Sequence, residues 1–256
     1  MKRFTLVILS FFCIFINSYV YGAEKCAIKD LSVQTSDGFN LKAKLIYPKE
    51  KGKKDYKTVV LLHSIGTDST WWGNLPKSLI ENGYAVLAID LRGHGKSIYN
   101  SKLNKVSWKN FTNRAFKKYP SDVIQVIKYI EKEYPKASFF NEWAIVGSDI
   151  GASAGIIAVD KSQNKPKTIV IISPIVQTHG LYIPVSVAQL SNVDFLSISG
   201  NSDRRALDDE KYLEKFAQGE FVRYYSTSQT SGMVILKNDD GAIPAITEWI
   251  NKYLKD

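Results

Sequence analysis

A chain of 256 residues with 45% hydrophobic content can bury one good core and is somewhat long for a single minimal domain. The net charge of +9 comes from lysines scattered through "PKEKGKKDYK", "SKLNKVSWKNFTNRAFKK" and the C-terminal segment, with no ladder of interleaved basic and aromatic residues. That pattern predicts a solvated surface and excludes nucleic acid as the expected partner.

The opening "MKRFTLVILSFFCIFINSYVYGA" runs from Lys2 and Arg3 through an apolar stretch, Phe4 to Ile16, to the small residues Gly22 and Ala23. This is the layout of a cleaved secretory signal, and the apolar run is short against the ~20 residues of a spanning helix. The expectation is a signal peptide over 1–22, cut near Gly22 and Ala23, with an uncleaved anchor as the alternative, and one domain over 23–256. That domain would be secreted or periplasmic, with no stable membrane insertion. Losing Lys2 and Arg3 takes the charge from +9 to +7. Cys13 leaves with the signal, so Cys26 remains as a free thiol and no internal disulfide forms.

Next, "DLSVQTSDGFNLKAKLIYP" alternates apolar and polar residues on both sides of Ser36-Asp37-Gly38, which predicts an antiparallel hairpin. "TVVLLH", "AVLAID", "WAIVGS", "TIVIIS" and "DFLSIS" are short continuous apolar runs, the pattern of parallel strands covered on both faces. Helices are predicted between most of them. "YPSDVIQVIKYIEKEYP" has Pro120 near its start and an apolar face of Val123, Ile124, Ile127 and Ile130; "DDEKYLEKFAQG" closes at Gly219; "IPAITEWINKYLK" comes last. The order predicts an α/β protein, a mostly parallel sheet with helices on both faces, entered through the hairpin.

Three motifs in this order carry a resemblance: "VVLLHSIGTDSTWW" (59–72), "AIDLRGHGKS" (88–97) and "AIVGSDIGASAG" (144–155). Together they resemble the α/β-hydrolase superfamily, specifically its small esterase, acyl-hydrolase and dienelactone-hydrolase-like group, across nearly all of residues 28–256. The resemblance implies an α/β-hydrolase fold without a large cap domain. It implies an oxyanion loop at His63 and Ile65, with the Ile150 amide as the second donor, and a triad of nucleophile, acid and histidine. It implies no cofactor and no metal.

Residue by residue, the triad is degenerate. Gly147 and Gly151 fix the nucleophile position on Asp149, where the family carries serine, and Ser148 stands one residue early. Asp203 in "LSISGNSDRRA" matches the acid. Ser231-Gly232 stands where the family has His-Gly, and fits that register better than Asp240-Gly241. The three histidines, His63, His94 and His179, read as packing, turn and loop residues. Trp71 and Trp72 stand beside the oxyanion loop, either binding an apolar or sugar-like ligand or anchoring the following helix on the sheet, and the partner expected for the pocket as a whole is a small apolar or acyl ligand. Asp149 at a helix N-terminus would accept hydrogen bonds from the amides of Ile150 and Ile65, with Arg204 as a neighbouring cation.

Three functions follow in order of preference: an exported protein that has lost turnover and binds a ligand or partner; a carboxylesterase-like ester or acyl hydrolase with a non-standard base; and an aspartate-nucleophile enzyme of the epoxide hydrolase or dehalogenase type. The last needs a histidine to activate water in its second step.

Overall fold

The computed structural model describes residues 25–255, so the signal peptide expected over 1–22 lies outside the described residues. The alternating residues around Gly38, at φ +78, form an antiparallel hairpin of β1 (Cys26–Gln34) and β2 (Asn40–Pro48). The apolar runs become β3 (Thr58–Leu62), β4 (Ala85–Asp90), β5 (Trp143–Ser148) and β6 (Thr168–Ile172). A small antiparallel pair, β7 (Gln177–Thr178) with β8 (Leu181–Tyr182), lies in the connector before β9 (Asp194–Gly200) and β10 (Phe221–Ser226). The eight-stranded sheet has the order β1-β2-β4-β3-β5-β6-β9-β10. β2 runs antiparallel to β1 and β4, and every later pairing is parallel.

Side chains of a strand alternate between faces, and both faces are covered, so the central strands can be apolar at every position. In β3, Val60 and Leu62 enter one core while Val59 and Leu61 enter the other. The first core is closed by α3 (Tyr119–Glu133) and α4 (Ile150–Asp160), the second by α1 (Leu75–Glu81) and α8 (Ala242–Leu254). On α3 the buried stripe is Val123, Val126 and Ile130, with Ile124 and Ile127 half-buried at its margin. Burial of each such side chain favours folding by about 1.5–3 kcal/mol, so these two layers dominate the fold's stability.

The remaining helices are short: α2 (Asn113–Phe116), α5 (Pro184–Gln189) and α7 (Ile235–Asn238). α6 (Arg204–Glu214) ends five residues before Gly219, which instead passes close to the Val193 carbonyl. β10 did not emerge from periodicity because "FVRYYS" is an edge strand that buries only Ser226 fully.

Candidate active site

The parallel strands all deliver their C-terminal ends to one edge, where ligands of open α/β sheets bind. Beyond β4 the motif "DLRGHGKS" folds into a rigid clamp. The Asp90 carboxylate accepts from the amides of Ser69 (2.8 Å) and Lys96 (2.8 Å), tying the oxyanion loop to this turn. Gly95 passes so close that a Cβ there would lie 2.4 Å from that carboxylate. Arg92 reaches back to Asp122 and Asp37, locking the turn to α3 and to the first hairpin.

Beyond β5 the chain makes the sharp elbow that the glycine spacing implies. Asp149 has φ +53 and ψ −122, and its amide donates to the Ile172 carbonyl at 2.9 Å. Both flanking glycines are required by contact: a Cβ on Gly147 would sit 2.4 Å from Ala152 Cα, and one on Gly151 would sit 2.2 Å from the Leu62 carbonyl oxygen. Ser148 points inward, fully buried, accepting from the Ser64 hydroxyl (2.7 Å) and donating to the Ile172 carbonyl (3.3 Å). It is a structural hydroxyl.

Asp149 faces a cavity of about 180 Å³, room for roughly six waters at ~30 Å³ each. Ser64, Ile65, Thr67, Ser173, Arg205, Ser231 and the segment Gly232 to Val234 line it with Asp149. Burial pushes the Asp149 carboxyl up to about 6, against the lowering pull of the Arg205 guanidinium and of the Ile65 and Ile150 amides, with Asp203 adding a smaller upward push. The amides of Ile65 and Ile150 therefore face the Asp149 carboxyl and favour its charged form.

Asp203 caps α6, its Oδ1 accepting from the Ala206 amide at 3.2 Å, while its Oδ2 is buried without a partner. That orphan oxygen is where a triad acid would receive an imidazole N–H. Ser231 stands at the cavity rim, exposed, and the next residue, Gly232, donates its amide to Ser173 Oγ at 2.6 Å. Asp149 and Ser231 thus share one cavity, and Asp203 acts on Asp149 electrostatically.

None of the three histidines lines that cavity. His63 is fully buried: its Nε2 accepts from the Leu91 amide (2.9 Å), its Nδ1 meets the Ser64 carbonyl (2.8 Å), and burial holds it below the usual imidazole range. It positions the oxyanion loop from behind. His94 accepts the Gly66 amide on Nε2 (3.1 Å) and stacks on Trp108; burial, and then His63 nearby, bring it down to about 4. His179 stacks on Phe116.

The pocket expectation is corrected at His63, Trp71, Trp72 and Ile150, none of which lines the cavity. Trp71 is 52% exposed and lines no wall, while Trp72 is buried in the core beneath α1. Ile150 contributes its amide alone, since its side chain is in the opposite core. The cation that reaches the cavity is Arg205, not Arg204. Once Asp203 is recognised as the helix cap, about 100° of rotation separates the directions of residues 204 and 205. Ser64 and Thr67 lie within the 59–72 motif, which does not show which of its side chains turn inward, and Ser173 and Met233 come from segments with no motif of their own. Among the described residues, no group of three or more His, Cys, Asp or Glu gathers as a metal site.

Residues 53–225 match the family model described as serine aminopeptidase, S33. A probable lipase of Schizosaccharomyces pombe is 26% identical over 56% of this chain and 33% of its own length, so the chain spans about a third of that curated relative. Similar solved structures include an esterase of Pyrococcus furiosus (17% identity, 89% of this chain, 92% of that one, TM-score 0.66). A dienelactone hydrolase of Anabaena variabilis follows the same fold (15% identity, 90% and 97% coverage, TM-score 0.63). So does a cold-adapted esterase from an Arctic intertidal metagenomic library (13% identity, 90% and 95% coverage, TM-score 0.69). The chain belongs to the serine aminopeptidase S33 family of α/β hydrolases.

Proposed function

We propose that this member of the family is an exported protein without serine-hydrolase turnover, whose retained pocket binds a small ligand. The observation that carries this reading is the carboxylate of Asp149 pulled on by the amides of Ile65 and Ile150. In a serine hydrolase those donors stabilise the oxyanion that forms when the hydroxyl attacks a carbonyl and an imidazole removes its proton. Here those amides face a carboxylate in the resting protein, and no imidazole lines the cavity.

Chemistry supports the same reading over its alternatives. A carboxylate nucleophile that attacked carbon would leave an ester on Asp149, and its hydrolysis needs a base to activate water. His63 has both ring nitrogens engaged with backbone groups, so it offers no such base. Ile65, Met233 and Val234 give the cavity an apolar side, and Ser173 and Ser231 a hydroxyl side. That combination suits a small acyl-type ligand. The basic-then-apolar N-terminal sequence supports export.

The test is hydrolysis of a short p-nitrophenyl ester. Wild type should give no release above buffer, because losing two members of a triad removes about 10⁴ to 10⁶ in rate. Asp149→Ser combined with Ser231→His should bring back measurable hydrolysis that neither single change gives. A wild-type kcat near the enzyme median of about 10 s⁻¹ would overturn the proposal.

A further inference from the structure

Between Arg92 and Asp122 the sequence contains seven lysines and arginines and no acidic residue, against a net charge of +9 for the whole chain. All seven are exposed. Among the described residues only Lys118 is ion-paired, with Asp37, itself already held by Arg92; Lys96, Lys102, Lys105, Lys109, Arg114 and Lys117 have no ion pair there. The charge is therefore available to a partner.

At the tip of this segment the backbone displays an apolar side chain. Asn100 organises a turn: its Oδ1 accepts from the amides of Lys102 (3.0 Å) and Asn104 (3.0 Å), its carbonyl accepts from the Leu103 amide (2.9 Å), and Tyr99 bridges to Lys105. Leu103 sits at the apex with φ +59 and 76% of its surface exposed. A branched side chain in the left-handed region is strained, and folding gains nothing from holding it in water. Tyr99, 42% exposed, stands at the base of the same turn.

We propose that this turn is a docking device for an anionic lipid surface, with Leu103 entering the acyl boundary and Lys102 and Lys105 on the headgroups. Cationic side chains flanking a projecting aliphatic one match the two layers of such a surface. A nucleic acid would meet the lysines but has no use for an aliphatic tip, since single strands are held by aromatic stacking. The turn also lies on the pocket side of the sheet. Trp108 from the same segment stacks on His94, and a Cβ added at Gly66 in the loop after β3 would meet its ring at 3.4 Å.

The test is co-sedimentation of the full chain with vesicles of phosphatidylcholine alone and of phosphatidylcholine with phosphatidylglycerol. Any binding by the N-terminal residues, Lys2 and Arg3 included, is common to all variants, so the readout is the change in the ratio of the two affinities from wild type to variant, joined to hydrogen-exchange protection over 99–105. Wild type should prefer the anionic vesicles and lose the preference in high salt. Lys102→Ala with Lys105→Ala should weaken anionic binding roughly 30-fold, at about fivefold per cation. Leu103→Asp should weaken it roughly tenfold while thermal unfolding stays cooperative. Equal affinity for both vesicles, or variants that bind like wild type, would overturn the proposal. So would a preference for single-stranded nucleic acid that Leu103→Asp leaves unchanged. Ester hydrolysis plays no part in the readout.

Discussion

Two charged groups withdrawn from water stand at the ends of strands on either side of β3, and they are treated in opposite ways. At the end of β4, Arg92 is buried with all three guanidinium nitrogens engaged: Nε and Nη2 donate to Asp122 (2.8 and 2.7 Å), Nη1 and Nη2 to Asp37 (2.8 and 3.0 Å), and its carbonyl accepts from Tyr119. At the end of β5, Asp149 has two amides and the field of an exposed Arg205, and nearby Asp203 keeps one buried oxygen unpartnered. The first arrangement is what folding demands of a buried ion. The second is what folding tolerates where a site once, or still, does something else.

The sharpest break of this comparison is Arg92→Met. It strands the buried Asp122 carboxylate and frees the hairpin from α3, and removing one partner of such a network costs about 3–5 kcal/mol. Urea unfolding should show that loss, whereas Asp149→Asn should show none at pH 8. An Arg92→Met protein within about 0.5 kcal/mol of wild type, the range of an ordinary surface change, would end the contrast.

The same contrast predicts opposite pH dependences. Hydrogen bonding from Arg92 holds Asp37 well below the carboxylate range, so its contribution is present above the unfolded value of 3.8 and fades on acidification. Asp149, raised by burial to about 6, contributes in the other sense: fully below 3.8, and lost as pH rises through 6. At 1.36 kcal/mol per unit the swing is about 3 kcal/mol. Asp149→Asn should therefore gain on wild type between pH 4 and pH 8, measured as the difference between two urea-midpoint curves. A flat difference would mean that Asp149 is not held out of water.

The legibility of the sequence followed the same division. The five parallel strands and the elbow could be read because backbone geometry dictates them: strands covered on both faces are apolar throughout, and Gly147 and Gly151 stand where any Cβ would strike the backbone. The elbow position of Asp149 followed from that register, whereas Asp203 and Ser231 were placed by the family resemblance. Side-chain direction outside regular elements could not be read. Trp71 and Trp72 are adjacent and chemically identical, yet one faces water and the other is buried. Arg204 and Arg205 differ only in where α6 begins. Edge strand β10 lacks the periodicity that burial would impose, and the turn at Leu103 breaks the rule that exposed apices are polar.

The smallest effect isolates the elbow's backbone from its charge. With φ +53 and ψ −122, Asp149 occupies a conformation that glycine reaches freely and other residues reach at a cost of about 1–3 kcal/mol. Asparagine at 149 removes the charge and keeps the strain; glycine removes both, giving back about 0.4–1 kcal/mol through the greater freedom of its unfolded chain. Asp149→Gly should therefore be more stable than Asp149→Asn by about 1 kcal/mol, equally at pH 5 and pH 8, since neither variant titrates there. Equal midpoints would mean that the elbow relaxes around asparagine. A glycine variant less stable than asparagine would mean that the Ile65 and Ile150 amides need a fixed acceptor, and that the polar side chain at 149, not the strain, sets the balance at this turn.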